Sequence, residues 1–225
     1  MKTCNVPRNR TTHRILLIAC STALAAAFAV SLPRLACAGH VTPPDVLETI
    51  RVLEGTAFLV GHADGTQNYI CLPCPNPTTP ASACPDATGF AWLLFTPEAT
   101  LFTDNDKQLT THFFSPNPDE NGRVRAAWQH SKDSSIVWGG QATASSDARF
   151  VRLGAIPWLR LPMAGVQEGP TGGDTLTKTT FIQRVNTWGG AAPSSGCAGL
   201  ADVGSKAFVP YTADYFFYRA DGDDE

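Results

Sequence analysis

The residues with the most clearly predictable chemistry are four cysteines, at positions 71, 74, 84 and 197. The other three of the seven cysteines fall within the first 38 residues, which have the features of a removable leader. An even number of cysteines left in an exported chain is typical of a disulfide framework. Of the three possible pairings, we favour Cys74–Cys84, which closes a proline-rich loop, with Cys71–Cys197, which joins distant parts of the chain.

The first two of these cysteines also have the C-x-x-C spacing of a redox-active pair. Such pairs work when the first thiol lies at a helix N-terminus that lowers its pKa. Here Tyr69-Ile70 is typical of a strand, and Pro75 and Pro77 disfavour a following helix. A four-cysteine zinc site would need a second closely spaced pair. The pattern therefore favours disulfides over redox catalysis or zinc binding.

A second group with possible chemistry is formed by polar residues on otherwise apolar segments: His112, Arg184, Asn186 and Asp214. One interpretation is an internal Arg184–Asp214 ion pair that fixes strand register, because a buried charge needs a partner. The other interpretation is a polar cluster at the mouth of a cleft. It makes all four residues candidates for ligand binding.

Metal binding is a further hypothesis for the histidines and acidic turns. If a leader were cut after Gly39, the new N-terminal His40 could chelate copper together with His112, since copper favours nitrogen ligands. Cleavage after Ala38 removes that possibility. The acidic turns at 104–106 and 119–120 offer the oxygen ligands that calcium prefers, but such turns are usually solvated. We predict no metal and no other cofactor.

Five tryptophans invite a carbohydrate-stacking hypothesis, although most tryptophans of a small β-domain fill its core. Trp188 lies beside Gly189-Gly190 in a predicted loop, so it is the best candidate for an exposed ring.

These side chains must be positioned by strands, because short runs of β-branched and aromatic residues recur between glycine, proline, asparagine and aspartate. A helical turn or two is expected only near residues 45–50. Turn signals lie at Asp64-Gly65, Asn121-Gly122 and Gly172-Gly173. The predicted strands are 57–62, 66–72, 89–95, 109–115, 124–130, 135–141, 155–161, 176–186 and 207–218.

The strand pattern predicts an all-β fold: a single-domain β-sandwich or β-barrel of roughly eight to ten mostly antiparallel strands with long loops. The last strand alternates most clearly. One face carries Val209, Tyr211, Ala213, Tyr215 and Phe217, a plausible core face. The opposite face mixes polar and aromatic groups, as a covered or ligand-lined surface would.

The N-terminus has the order of a secretory signal peptide: basic residues, an apolar run from Ile15 to Val30, and Ala36-Cys37-Ala38 before Gly39. We predict a cleavable leader at 1–38, a single β-rich domain at 39–219 and an acidic tail at 220–225. The leader holds five of the 17 basic residues and none of the 20 acidic ones, so the remaining 187 residues carry a net charge of −8. Nucleic acid is therefore an unsuitable partner, and cleavage leaves no stable membrane insertion.

Several segments match the pattern of one family. Segment 65–71 reads GTQNYIC, with the spacing G-x-Q-x-Y-x-C, and the densest blocks are FIQRVNT at 181–187 and VPYTADYFFY at 209–218. The chain resembles an uncharacterised exported family, domain-of-unknown-function family 3455, over nearly all of the predicted domain. It departs from the family pattern between Ser115 and Gly122, and Cys74 and Cys84 look like an added loop.

The resemblance implies export but no established activity. Some relatives carry a malate dehydrogenase label, which this sequence does not support, because it lacks a G-x-G-x-x-G element in a βαβ unit. It also lacks a G-x-S-x-G elbow and an H-E-x-x-H helix. We therefore expect a secreted or periplasmic, non-catalytic domain that binds a small molecule, a glycan or an envelope component. The alternative is an enzyme of unidentified type with a polar site near His112, Arg184 and Asp214.

Overall fold

A computed structural model describes residues 41–75, Cys84 and residues 89–222. The predicted leader at 1–38 and His40 lie outside the described residues, as do the last three residues of the acidic tail. None of the helices in the described part is long and apolar enough to span a membrane.

Strands dominate the described residues. Three short 3-10 helices are also present there, at Glu48–Ile50, Pro118–Glu120 and Leu200–Asp202. The strands are β1 (Thr56–Pro73), β2 (Phe90–Phe102), β3 (Gln108–Asn117), β4 (Arg123–His130), β5 (Ile136–Gly139), β6 (Thr143–Ser145), β7 (Trp158–Gln167), β8 (Thr179–Gly189) and β9 (Lys206–Arg219).

Eight of these strands close into an antiparallel barrel. Neighbours follow the order of the chain from β1 to β5, continue with β7, β8 and β9, and return to β1. The short strand β5 closes the circle because it pairs with β4 on one side and β7 on the other. Strand β6 is added beside the first residues of β7. The predicted all-β fold is confirmed, and of the two architectures expected it is the barrel that forms.

The predicted break at Asp64-Gly65 is wrong, since the first two predicted strands are one continuous strand, β1. A glycine is needed at position 65 because β1 and β2 approach each other closely there, not because the chain turns. A Cβ on Gly65 would lie 2.1 Å from the backbone oxygen of Glu98 on β2. The small strand β6 was not predicted. Its three residues are exposed or half-buried, so they lack the apolar alternation that marks a strand in sequence.

The core fills the barrel interior with inward-facing side chains from most of its strands. Tyr211, Ala213, Tyr215 and Phe217 of β9 all belong to it, which confirms the predicted core face for four of its five residues. The fifth, Val209, is only half-buried because it lies near the start of the strand. They pack against residues from the other strands, among them Ala63, Leu101, Trp128, Leu161 and Ile182.

The outer face of β9 is covered over its C-terminal part, whereas Pro210 and Thr212 on the same face are exposed. Phe216 and Tyr218 lie in a second apolar cluster with Ile50, Trp158 and Val185, against which parts of the segment 41–52 pack. The Gln183 amide donates a hydrogen bond of 2.8 Å to the Ile50 carbonyl and anchors that segment. The N-terminal segment therefore shields aromatic rings that the barrel alone would leave in water.

Asp133 ties together the loops at one end of the barrel. Its carboxylate accepts hydrogen bonds from His130, from the backbone and hydroxyl of Ser135, and from the backbone and hydroxyl of Thr175. Burial alone would raise the pKa of Asp133, but the bonds from Thr175 and Ser135 hold it well below its usual value. Leu176, fully buried beside these groups, fills this end, which we call the plugged end.

Both predicted disulfides are present. Cys71–Cys197 connects the end of β1 to the loop between β8 and β9, with 5.5 Å between the Cα atoms. Cys74–Cys84 closes the proline-rich loop. Since each thiol of the C-x-x-C pair is bonded elsewhere, the redox alternative is excluded for this structure.

We expect Asp133→Asn to lower the free energy of unfolding by about 2 kcal/mol at neutral pH, because an amide nitrogen would then face donors that a carboxylate oxygen now satisfies. Urea unfolding followed by circular dichroism measures the change. Asp174→Asn is the matched control in the same loop, since the hydrogen bonds described for Asp174 run through its backbone carbonyl. Equal stability of the two variants would contradict the role given to Asp133.

Candidate functional site

A cavity of about 250 Å³ lies inside the end of the barrel opposite Asp133, which we call the cavity end. It extends from the surface into the core, since its lining ranges from Leu94, 43% exposed, to the fully buried Trp128. Most of the lining is apolar. The full set is Gln67, Tyr69, Leu94, Pro97, His112, Phe114, Ala126, Trp128, Ile156, Pro157, Leu159, Leu161, Arg184 and Tyr215.

Strand register explains why distant residues meet in this cavity. Side chains two apart on a strand share a face, so Gln67 and Tyr69 of β1 both line the cavity. The antiparallel pairing places His112 directly opposite Trp128. It also places Arg184 between Leu159 on β7 and Tyr215 on β9.

His112 is a buried, neutral part of the wall. Its ring stacks on the Trp128 indole, with 4.2 Å between centroids and 7° between planes. Its Nδ1 lies 2.9 Å from the Ala127 carbonyl, which can only accept, so Nδ1 carries the proton. Burial, together with the positive charge of Arg184, lowers the pKa of His112 to about 3 despite this hydrogen bond. At neutral pH the ring therefore has no acidic proton to give.

Arg184 brings a positive charge to the cavity. Its Nε and Nη2 donate to the Pro157 carbonyl at 3.3 and 2.9 Å, and its charge reaches far enough to lower the pKa of His112. A guanidinium has five N–H groups, so this carbonyl engages two of them. Within the described part of the chain, no carboxylate pairs with Arg184, and none lines the cavity.

Two further buried donors of the wall lack hydrogen bonds among the described residues: Nε2 of Gln67 and Nε1 of Trp128. Gln67 is only 3% exposed. Burial raises the pKa of the Tyr211 hydroxyl, and the nearby Gln67 amide partly offsets this rise. The contact between the two groups nevertheless falls short of hydrogen-bond geometry. Leaving a buried hydrogen-bond donor unpaired costs roughly 1–3 kcal/mol. The wall therefore contains donors for which the described residues supply no acceptor.

The segment Ile156-Pro157 lies across the cavity end and is fixed by its backbone. The Ile156 amide donates to the Gly189 carbonyl, and the Thr187 hydroxyl donates to the Ile156 carbonyl at 2.7 Å. Gly190 has a positive φ and packs so closely that a Cβ there would lie 2.8 Å from Tyr211 Cβ. Tyr69 donates its hydroxyl to the Gly190 carbonyl. The rim of the cavity is therefore held in place before any ligand arrives.

Asp214 and Asn186 lie outside the barrel, away from His112 and Arg184. Asp214 accepts hydrogen bonds from His62 at 2.7 Å and from the Asn186 amide at 2.7 Å. The other ring nitrogen of His62 meets Asp104 at 2.8 Å. Because Arg184 is opposite Tyr215 and Asp214 is one residue along, their side chains point to opposite faces. The ion pair between Arg184 and Asp214 does not form.

Trp188 is 58% exposed on the outside of the barrel, as the sequence suggested, but it lies on β8 rather than in a loop. It borders a depression with Arg149, Arg152 and Asn186. Of the other four tryptophans, Trp128, Trp138 and Trp158 are buried and Trp92 is half-buried.

The residues described here contain no cluster of three or more His, Cys, Asp or Glu side chains that could hold a metal. The two acidic turns considered for calcium make protein contacts instead. Asp104 meets His62, and Glu120 forms a bidentate pair with Arg125. His112, the copper candidate, bonds to a carbonyl within the wall, and its proposed partner His40 lies outside the described residues.

Sequence reasoning found His112 and Arg184 but missed Gln67, Tyr69 and the role of Trp128. A signal for the first two was present, because both are fixed positions of the G-x-Q-x-Y-x-C element at 65–71. What the sequence did not give was the register that turns them towards Arg184.

The pKa values of His112 and His62 are shifted in opposite directions, which predicts opposite effects of pH on the free energy of unfolding. The folded-state pKa of His112 is lowered from 6.5 to about 3, so its contribution is present above pH 6.5 and is lost as pH falls below that value. Between about pH 6.5 and about pH 4, the free energy of unfolding of the wild type should fall by about 3 kcal/mol more than that of His112→Gln. Urea unfolding over this range measures the difference, and an unchanged slope would contradict the buried neutral state.

His62→Gln provides the opposite case. Burial lowers the pKa of His62, but the hydrogen bonds to Asp214 and Asp104 outweigh it and raise the pKa above 6.5. The stabilisation is therefore present below pH 6.5 and is lost as pH rises through the folded-state pKa. The same titrations should show that His62→Gln removes this alkaline loss and leaves the acid slope of His112 intact.

Comparison with known proteins gives one result. A family model described as "Protein of unknown function (DUF3455)" matches residues 53–219, a range that contains every strand of the barrel. No curated protein and no solved structure matches the chain. With most of its length matched, the chain belongs to the DUF3455 family.

Proposed function

We propose that this protein is an exported, non-catalytic binding protein whose ligand is a small molecule held in the cavity end of the barrel. The observation that carries the proposal is the cavity itself: about 250 Å³, mostly apolar, with a few polar groups converging on it. Small-molecule sites in proteins have this character, and the mouths of β-barrels are among their common locations.

The size of the cavity limits the ligand. A water molecule has a share of about 30 Å³ of liquid volume, so the space corresponds to about eight waters. A ligand of roughly eight to ten non-hydrogen atoms suits it. The fixed rim supports binding, since a pre-formed site spends less free energy on ordering loops.

The separation of the polar residues supports a non-catalytic role. The enzyme alternative needs His112, Arg184 and Asp214 together, whereas Asp214 lies on the outer face with His62 and Asn186. His112 has its pKa lowered to about 3, far from the pH at which a general acid or base would work.

Two observations of different kinds support the proposed export. The disulfides Cys71–Cys197 and Cys74–Cys84 are those of an oxidising, extracytoplasmic environment. The leader pattern at 1–38 supports secretion or periplasmic delivery after cleavage.

A plug in the cavity tests the proposal. We expect Ala126→Phe, and more mildly Ala126→Leu, to abolish or weaken binding of small amphipathic molecules such as octan-1-ol, because Ala126 lines the cavity. Titration followed by tryptophan fluorescence and thermal shift measures binding, since a specific ligand raises the unfolding temperature by mass action. Arg123→Phe is the control on the same strand, at an exposed position whose side chain faces away from the cavity.

Circular dichroism establishes that each variant is folded. Binding by wild type and Arg123→Phe but not by Ala126→Phe supports a ligand in the cavity. The proposal is refuted if none of these amphipathic molecules binds wild type, or if Ala126→Phe binds them equally well.

The exposure of Trp188 favours a second candidate, a glycan or envelope partner at the outer surface. Aromatic rings stack on sugar faces, and Arg149, Arg152 and Asn186 surround the ring with hydrogen-bond donors. Soluble envelope glycans should quench the fluorescence of wild type more than that of Trp188→Phe. Identical quenching of the two proteins would dismiss this candidate.

A further inference from the structure

The cavity end has an excess of positive charge and of hydrogen-bond donors. Arg184 brings a guanidinium, and the described lining contains no carboxylate to balance it. The unpaired Nε2 of Gln67 and Nε1 of Trp128 add two donors in the same wall. Nε2 of His112, left unprotonated by the bond of Nδ1 to Ala127, is the wall's one evident nitrogen acceptor in the described part.

Arg184 is half-buried beside apolar side chains, and the partner described for its guanidinium is a carbonyl. The Pro157 oxygen occupies Nε and Nη2 of Arg184, so the remaining N–H groups of the guanidinium are available to a ligand. Gln67 also belongs to the lining, but its unpaired Nε2 is fully buried, so Arg184 is the group that presents donors to the cavity. What completes this arrangement is an acceptor with negative charge.

We infer that the ligand is a small organic carboxylate with an apolar tail, its carboxylate at Arg184 and its tail along Leu159, Leu161 and Phe114. This inference rests on the proposed binding function and names its ligand class. Guanidinium and carboxylate form short, charge-assisted hydrogen bonds of matched planar geometry. The tail replaces water against the apolar wall.

The charge of the cavity separates a carboxylate from a phosphate. One guanidinium balances one negative charge, whereas a phosphate monoester carries about −1.5 to −2 near pH 7. The surplus charge would be buried among apolar side chains, which is costly. The same reasoning excludes a cationic ligand, which Arg184 would repel.

Matched eight-carbon probes test the inference by calorimetry on the purified protein: octanoate, octan-1-ol, octylamine and octyl phosphate. Octanoate should bind at least tenfold more tightly than octan-1-ol, since a hydrogen bond to a charged group contributes enough for such a ratio. Octyl phosphate should bind more weakly than octanoate, and octylamine should show no binding. Equal affinity for octanoate and octan-1-ol, or tighter binding of octyl phosphate or octylamine, would overturn the inference.

Variants of Arg184 provide the second arm. Arg184→Met should weaken octanoate binding about 10- to 100-fold while leaving octan-1-ol affinity within about twofold. Arg184→Lys should restore part of the octanoate affinity, because it keeps the charge but loses the fork of donors. The octan-1-ol measurement shows whether loss of the bond to Pro157 has disturbed the cavity, which a structural role alone would do.

The failures of the two proposals are distinguishable. If octan-1-ol binds, is blocked by Ala126→Phe, and matches octanoate in affinity, the cavity binds ligands but the carboxylate assignment is wrong. If no probe binds wild type, the binding function itself is refuted. An unchanged octanoate affinity in Arg184→Met overturns the assignment whatever the fate of the other probes.

Discussion

Closure of the sheet by β5 is the constraint on which the rest of the structure depends. This strand has only four residues, all buried, yet it must pair with β4 and β7 at once. With that pairing in place, alternate residues of eight strands face a common interior, and no edge of the main sheet is left open there. Without it, His112, Trp128 and Arg184 would lie on one face of an open sheet rather than around a cavity.

The two ends of the barrel are built differently. At the plugged end, Asp133 satisfies donors from two loops and Leu176 fills the interior. At the cavity end, a cavity remains, and the cation in its described lining, Arg184, has no carboxylate partner there. This contrast within one barrel is the physical basis for assigning the ligand to the cavity end.

The sequence predicted the local structure better than the site. Alternation on β9 gave the core face directly, and the even cysteine count led to both disulfides. The candidate cluster His112, Arg184, Asn186 and Asp214 was divided because side-chain direction depends on register, and a shift of one residue turns a side chain to the other face. Arg184 lies opposite Tyr215, and Asp214 is the residue next to Tyr215, so the side chains of Arg184 and Asp214 point to opposite faces. The G-x-Q-x-Y-x-C element marks Gln67, but a polar residue in a strand usually faces solvent, and only the closure of the barrel places Gln67 inside.

A crystal structure of the protein grown with octanoate tests the central claim most directly, because it shows both where a ligand lies and which atoms hold it. The account predicts the octanoate carboxylate within hydrogen-bond distance of the Arg184 guanidinium, with the alkyl chain inside the barrel against Leu159 and Leu161. A cavity that holds only ordered water at saturating octanoate, or octanoate bound with its carboxylate away from Arg184, would contradict it.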